Sequence, residues 1–140
     1  MTENPRVLNH ARRSIITNDT TTFDAYIGAI YDDDAGESHI NIQSHHCNPT
    51  GNINGGVLIS LADNLSTGAA NRAYFEKFGE HKFMVGVDLH AVMLSNQRGG
   101  RITARSTPVR VGRRITVIRT EVRGDEGKLL TDVTTTHVPT

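Results

Sequence analysis

Several things are scarce in this 140-residue chain, and each scarcity excludes something. There is a single cysteine, Cys47, so no intramolecular disulfide can form and a reducing compartment is expected. Neither sign of charge is in excess, with Lys+Arg and Asp+Glu at 15 each. Aromatics are few, three Tyr and four Phe with no Trp. A nucleic-acid binder would carry net positive charge with exposed aromatics, so that class is set aside. No apolar run approaches the ~20 residues of a membrane span, and the N-terminus lacks a signal-peptide apolar core. The expectation is a soluble cytoplasmic protein with no membrane partner, long enough for one domain with a real core.

The chain opens on a polar arm, residues 1–22, in which Val7 to Ile16 could form a short helix. A single domain is expected over 23–140. Tyr26–Tyr31 and Ser38–Ser44 read as strands around an acidic, glycine-containing hairpin loop, Asp32 to Gly36. A helix follows over about Gly56–Phe78. Leu58, Leu61, Ala62, Leu65 and Ala69 recur on one stripe of it, and Gly79 is placed to cap its C-terminus. Asp63 falls off that stripe, beside Ile59, Ser66 and Ala70. So small and apolar a flank suggests a second packing partner, such as another subunit.

Only strands follow. Residues 83–93 alternate strictly. Arg101–Val111, Arg114–Arg123 and Leu129–Val138 come after, separated by glycine turns. Pro108 restricts its strand to an edge or a bulge. The fold class is α+β, an antiparallel sheet wrapped around one long central helix.

The stretch with most chemical content is Asn48 to Asn64, a polar loop ending in Gly55 and Gly56 at the helix start. The first amides of a helix lack intrahelical partners and lie at the positive end of its dipole, where a polarised carbonyl or oxyanion is stabilised. Asp63, two turns on, could supply a base or a nucleophile. A glycine-rich loop before a buried helix, with Asp63 satisfied by neighbours, is the competing reading of the same spacing.

Asn48-Pro-Thr-Gly51, Asn54-Gly-Gly56 and Leu61-Ala-Asp-Asn64, in this element order, resemble the hotdog-fold acyl-CoA thioesterases, most closely the phenylacetate-pathway branch and its relatives. The resemblance runs from about Tyr26 to Val138. It implies that Asp63 attacks the thioester or activates water, that Asn48 positions that water or the acyl group, and that amides at Gly55 and Gly56 polarise the carbonyl. It also implies a homodimer or homotetramer whose protomers share active sites, and no metal or bound cofactor beyond the coenzyme A of the substrate. Two positions depart from the family pattern. Asn54 replaces a histidine, and Gly86, in the substrate-binding strand, stands where serine or threonine is frequent. Asn54 still donates an amide hydrogen bond but does not titrate near neutral pH. Alternation places Gly86 opposite the face that should cover the helix, unless both faces are buried or a bulge intervenes.

Arg110, Arg113 and Arg114, with Arg98 and Arg101, flank glycine turns and could hold coenzyme A phosphates; solubilising charge on turns is the other reading. His45-His46-Cys47 lacks a third ligand at a recognisable spacing, so no metal site is expected. Asp88 and His90 share a strand face and suit an interface better than catalysis. The expected function is hydrolysis of an acyl-CoA thioester. The alternative is a hotdog module that binds acyl-CoA without turning it over, kept open by Asn54 and Gly86.

Overall fold

The computed structural model describes residues 22–140; the arm expected before them lies outside the described residues. Helix α1 (Phe23–Ile27) leads into strands β1 (Ile30–Asp32) and β2 (Glu37–Asn41). The long helix α2 (Gly55–Phe78) follows, then β3 (Met84–Met93), β4 (Arg101–Val111), β5 (Thr116–Arg123) and β6 (Leu129–Pro139). All strand pairs are antiparallel, in one sheet of order β1-β2-β4-β5-β6-β3. The α+β expectation holds, with the helix packed on one face of this sheet. Among the described residues no helix is long and apolar enough to cross a membrane.

The helix stripe is the core. Leu58, Leu61, Ala62 and Leu65 are fully buried against Ile40, Ile102, Ala104, Val122 and Val133 of the sheet. Burial of a leucine side chain contributes ~1.5–3 kcal/mol, so this row fixes where the helix sits. Gly79 ends the helix at φ 69°, its amide bonded to the Phe75 carbonyl at 2.8 Å, as its sequence position suggested. The start is one residue earlier than expected.

The strand expected over Tyr26–Tyr31 is corrected. Thr22 caps a short helix there, its side chain accepting from the Ala25 amide, and Gly28 closes it in the left-handed region at φ 69°. Only Ile30–Asp32 remains extended. Asp24 of α1 accepts from Asn64 Nδ2 at 2.6 Å and from the Tyr31 hydroxyl at 3.0 Å, so Asn64 serves to fasten α1 to α2. The strand expected to reach Ser44 ends at Asn41 and gives way to a 3₁₀ turn, Ser44–His46.

Two irregularities answer questions posed by the sequence. β4 is an inner strand, yet β2 pairs only with Arg101–Arg105, so Pro108 lies beyond that pairing and beside a register shift on the β5 side. Proline is tolerated where no ladder bond is required. In β3 the register shifts between Gly86 and Asp88. A bulge of one residue exchanges the two faces of a strand. Before it, Met84 is buried against Ala69, Ala70 and Tyr74 of α2; after it, Ala91 packs on the core. Gly86 therefore faces the helix side with Met84, while Leu89, Ala91 and Met93 keep the helix side that alternation gave them; of the two resolutions left open for Gly86, the bulge is the one found.

Candidate active site

From Cys47 the chain makes a tight polar loop organised by Asn48. Its Oδ1 accepts from the Thr50 amide (3.0 Å), the Thr50 hydroxyl (2.6 Å) and the Asn52 amide (3.2 Å). With that oxygen engaged by three donors, only Nδ2 is left to meet a water or an acyl oxygen. Gly51, at φ +83°, completes the loop, and a Cβ there would stand 2.7 Å from the Arg98 guanidinium. Ile53 anchors the far side, its amide bonded to the Gln97 carbonyl at 2.9 Å and its side chain buried.

Asn54 is the N-cap of α2, with Oδ1 accepting from the Gly56 amide at 2.7 Å. Of the two glycine amides expected to polarise a carbonyl, Gly56 is thus engaged by the cap. Gly55, the first helical residue, has no such partner in the described structure. The glycines are needed for different reasons, neither of them a positive φ. A Cβ on Gly56 would approach Asn54 Oδ1 to 2.9 Å, and one on Gly55 would meet the Met93 methyl at 2.6 Å. Removing an N-cap typically costs ~1 kcal/mol, so Asn54→Ala should lower thermal stability measurably. Asn54→Asp keeps the capping oxygen and removes the amide donor. Equal melting temperatures for Asn54→Asp and wild type, with Asn54→Ala several degrees lower, are expected; unchanged stability in Asn54→Ala would remove the cap as the reason for Asn54.

Asp63 is exposed on the helix flank. Its main-chain carbonyl accepts from the Ser66 and Thr67 hydroxyls at 2.8 and 3.3 Å, while no hydrogen bond or ion pair engages its carboxylate among the described residues. Ser66 and Ala70 beside it are fully buried. The fully buried His137 pairs in register with Gly86, and its ring lies 3.7 Å from where a Gly86 Cβ would stand. His137 Nε2 is 2.9 Å from the Thr135 hydroxyl. Desolvation lowers its pKa, partly countered by a contact with the Met84 main chain and by the charge of Asp63. Sequence reasoning missed His137 because its inward direction follows from β6 register alone.

The arginines separate into two places. Arg98 lies on the loop before α2. Arg113 is bound to Glu80 at 3.2 Å and stacks over Phe78 at 4.5 Å, at the far end of the helix. Arg110 and Arg114 flank the same turn, and the Lys77 amine donates to the Val111 carbonyl there at 2.6 Å. That turn lies about 35 Å from Gly55 along the helix, at ~1.5 Å per residue over 24 residues. Arg101 Nε is bound to Asn41 at 3.2 Å. Asp88 and His90 are exposed on the outer face of β3.

In the His45-His46-Cys47 run, His46 is buried with both ring nitrogens engaged. Nδ1 accepts from the Gln43 amide at 2.9 Å, so Nε2 carries the proton and donates to the Ile27 carbonyl at 2.8 Å. Among the described residues no group of three His, Cys, Asp or Glu side chains could hold a metal ion. Burial lowers the pKa of His46 as it does that of His137. The unfolded chain takes up these protons near the ordinary 6.5, the folded chain only at lower pH. Stability is therefore full above pH 6.5 and declines as pH falls towards the folded values. A melting temperature constant from pH 7.5 to 5.5 would contradict this, and His137→Gln should flatten part of the decline.

A family model described as the thioesterase superfamily matches residues 50–131, from Thr50 of the loop through α2 and β3 to β5 and into the start of β6. The chain belongs to the thioesterase superfamily. A curated Haemophilus influenzae relative, whose esterase name is itself provisional, is 33% identical over 93 residues, 66% of this chain and 64% of that one. The chain thus spans just under two thirds of that relative's length, and about half, 52%, of a Vibrio cholerae relative that is 30% identical. Among solved structures, a thioesterase from Haemophilus influenzae superposes with TM-score 0.78 at 26% identity, over 100% of this chain and 92% of that one. A Bacillus halodurans protein solved with CoA has the same fold, with TM-score 0.78 at 17% identity over 99% and 93% of the two chains. The match reaches the superfamily and does not single out the phenylacetate-pathway branch.

Proposed function

We propose that the protein is a cytoplasmic acyl-CoA thioesterase that works as a homodimer or a dimer of dimers. One observation carries the reading. A helix-start amide, Gly55, and a carboxylate, Asp63, both without a partner among the described residues, lie on the same helix in a chain of this family. The Gly55 amide holds the thioester carbonyl, and Asn48 Nδ2 orients the attacking water. Asp63 either takes the proton of that water or attacks the carbonyl carbon itself; both routes require the carboxylate form. With water as the attacker, the oxyanion collapses and expels the coenzyme A thiolate, which recovers a proton, and the carboxylic acid is left. With Asp63 as the attacker, the same collapse leaves a mixed anhydride on Asp63, which the water held by Asn48 then hydrolyses to the free acid and the regenerated carboxylate. Coenzyme A in the Bacillus halodurans structure supports this choice of thiol.

Self-association follows from the spacing. Asp63 lies eight positions after Gly55, about 12 Å along the axis at ~1.5 Å per residue. A carbonyl within ~3 Å of its donor and ~3–3.5 Å of its attacker cannot bridge that gap on one chain. β3 forms a sheet edge, with Val85, Val87, Leu89 and Val92 all exposed. Pairing of this edge with a second copy covers those side chains and reverses the second helix, which brings Asp63 of one protomer towards Gly55 of the other. Light scattering at micromolar concentration should give at least a dimer, and Val87→Lys, a charge on that edge, should weaken it. A wild-type monomer would contradict the shared site.

The direct test is free-thiol release from a panel of acyl-CoA esters. Turnover of at least one ester is expected. Tight binding without turnover of any would favour the non-catalytic acyl-CoA binder, to which the capped Gly56 amide lends weight.

A further inference from the structure

α2 and β3 lie side by side and run in opposite directions. At one end Met93 lies against Gly55; at the other, Asn71 Oδ1 accepts from the Met84 amide at 2.7 Å. Between these anchors the face of β3 that carries Ala91, which packs on the core, also carries Leu89 and Met93. Met93 occupies a particular place in this arrangement. Its methyl group takes the space that a side chain on Gly55 would fill, so it lies against the residue whose amide is left uncapped. Its sulfur accepts from the Thr131 hydroxyl at 3.7 Å, which holds the thioether towards the helix start, yet the side chain is 48% exposed.

Whatever carbonyl is held at Gly55 therefore has Met93 as its apolar neighbour. The other side of the helix start is polar, made of the Asn48–Asn52 loop with Arg98 seated on Gly51. The two sides match the two halves of a thioester, an acyl group and a polar carrier arm.

We propose that Met93 is a specificity-determining residue, the wall against which the acyl group packs and which limits its size. The inference rests on the thioesterase reading and adds the direction of the acyl group to it. Met93 closes the near end of the inward row, so short acyl chains fit beside it while long or branched ones must displace it. A thioether is flexible enough to yield at a cost, which makes the selection graded.

The test uses the full-length wild type, Met93→Ala and the near-isosteric Met93→Leu. Each is assayed on straight-chain acyl-CoA esters from acetyl to decanoyl and on benzoyl-CoA, and by calorimetry with non-hydrolysable thioether analogues of the same series. Melting temperature and oligomeric state are recorded for each variant. One methylene in an apolar pocket changes selectivity by ~10-fold or more. Met93→Ala should accordingly raise kcat/KM on the longer esters relative to acetyl by at least about 10-fold, with the same trend in analogue affinity, while Met93→Leu keeps the wild-type profile. If wild type hydrolyses the series and Met93→Ala changes every ester by one common factor, Met93 is not the acyl wall and the thioesterase reading survives. If nothing is hydrolysed but analogue affinities shift with chain length in Met93→Ala, hydrolysis fails and the acyl wall stands. Neither turnover nor analogue binding in the wild type would overturn both.

Discussion

Asp63→Asn is expected to lower kcat on acyl-CoA esters by about 10²–10⁴-fold, the usual contribution of a general acid–base group, with little change in melting temperature. The structure separates these two effects. The carboxylate is exposed and carries no hydrogen bond or ion pair among the described residues. The hydroxyls of Ser66 and Thr67 bond the main-chain carbonyl, which the substitution leaves in place. Asp and Asn have similar helix propensities, so an exposed exchange stays within about ±0.5 kcal/mol. Affinity for a non-hydrolysable acyl-CoA analogue should be kept. Unchanged turnover would remove Asp63 from the chemistry, and a collapse in melting temperature would assign it a structural role.

Gly55→Pro should cost about 10²–10³-fold in kcat, the effect of losing one oxyanion donor, because proline lacks the main-chain N–H. Proline is well tolerated at the first helical position, which Gly55 occupies. Asn54, at φ −65° and ψ 130°, already has the extended conformation that a residue before proline favours. The cap from Asn54 Oδ1 to the Gly56 amide does not involve the deleted hydrogen. A Cβ at this position displaces the Met93 methyl, which is the end of a flexible side chain. A folded Gly55→Pro with wild-type kcat would show that the carbonyl is polarised elsewhere.

Patterns that report a period were legible in the sequence. The stripe from Leu58 to Ala69 became the buried face of α2, and β4 and β6 fell almost where alternation placed them. Features set by tertiary register were not. The position of Gly86 raised a bulge as one of two outcomes, but the alternation of 83–93 could not decide for it, because both alternating sets contain apolar residues. His137 acquires its place beside Gly86 through that register. The Tyr26–Tyr31 segment misled for the opposite reason. Its apolar residues suit a strand, but Thr22 and Gly28 supply local caps that decide for a helix. At the candidate site the motif located Asn48, Gly55 and Asp63. Spacing alone could not reveal that the Asn54 side chain engages the Gly56 amide, or that Arg98 lies on the loop while Arg110, Arg113 and Arg114 gather at the other end of the helix.

The central claim is that Asp63 of one protomer and Gly55 of another act on the same thioester. Mixing two inactive variants tests it most directly. Asp63→Asn and Gly55→Pro are co-expressed, or unfolded together and reassembled at equal concentration, and thiol release is compared with each variant alone. With a shared site, each mixed dimer holds one site with both residues intact and one lacking both. Random pairing in a two-fold dimer then restores about a quarter of wild-type activity. With both residues drawn from one chain, every site in the mixture keeps a defect, and activity no higher than that of the separate variants would contradict the account.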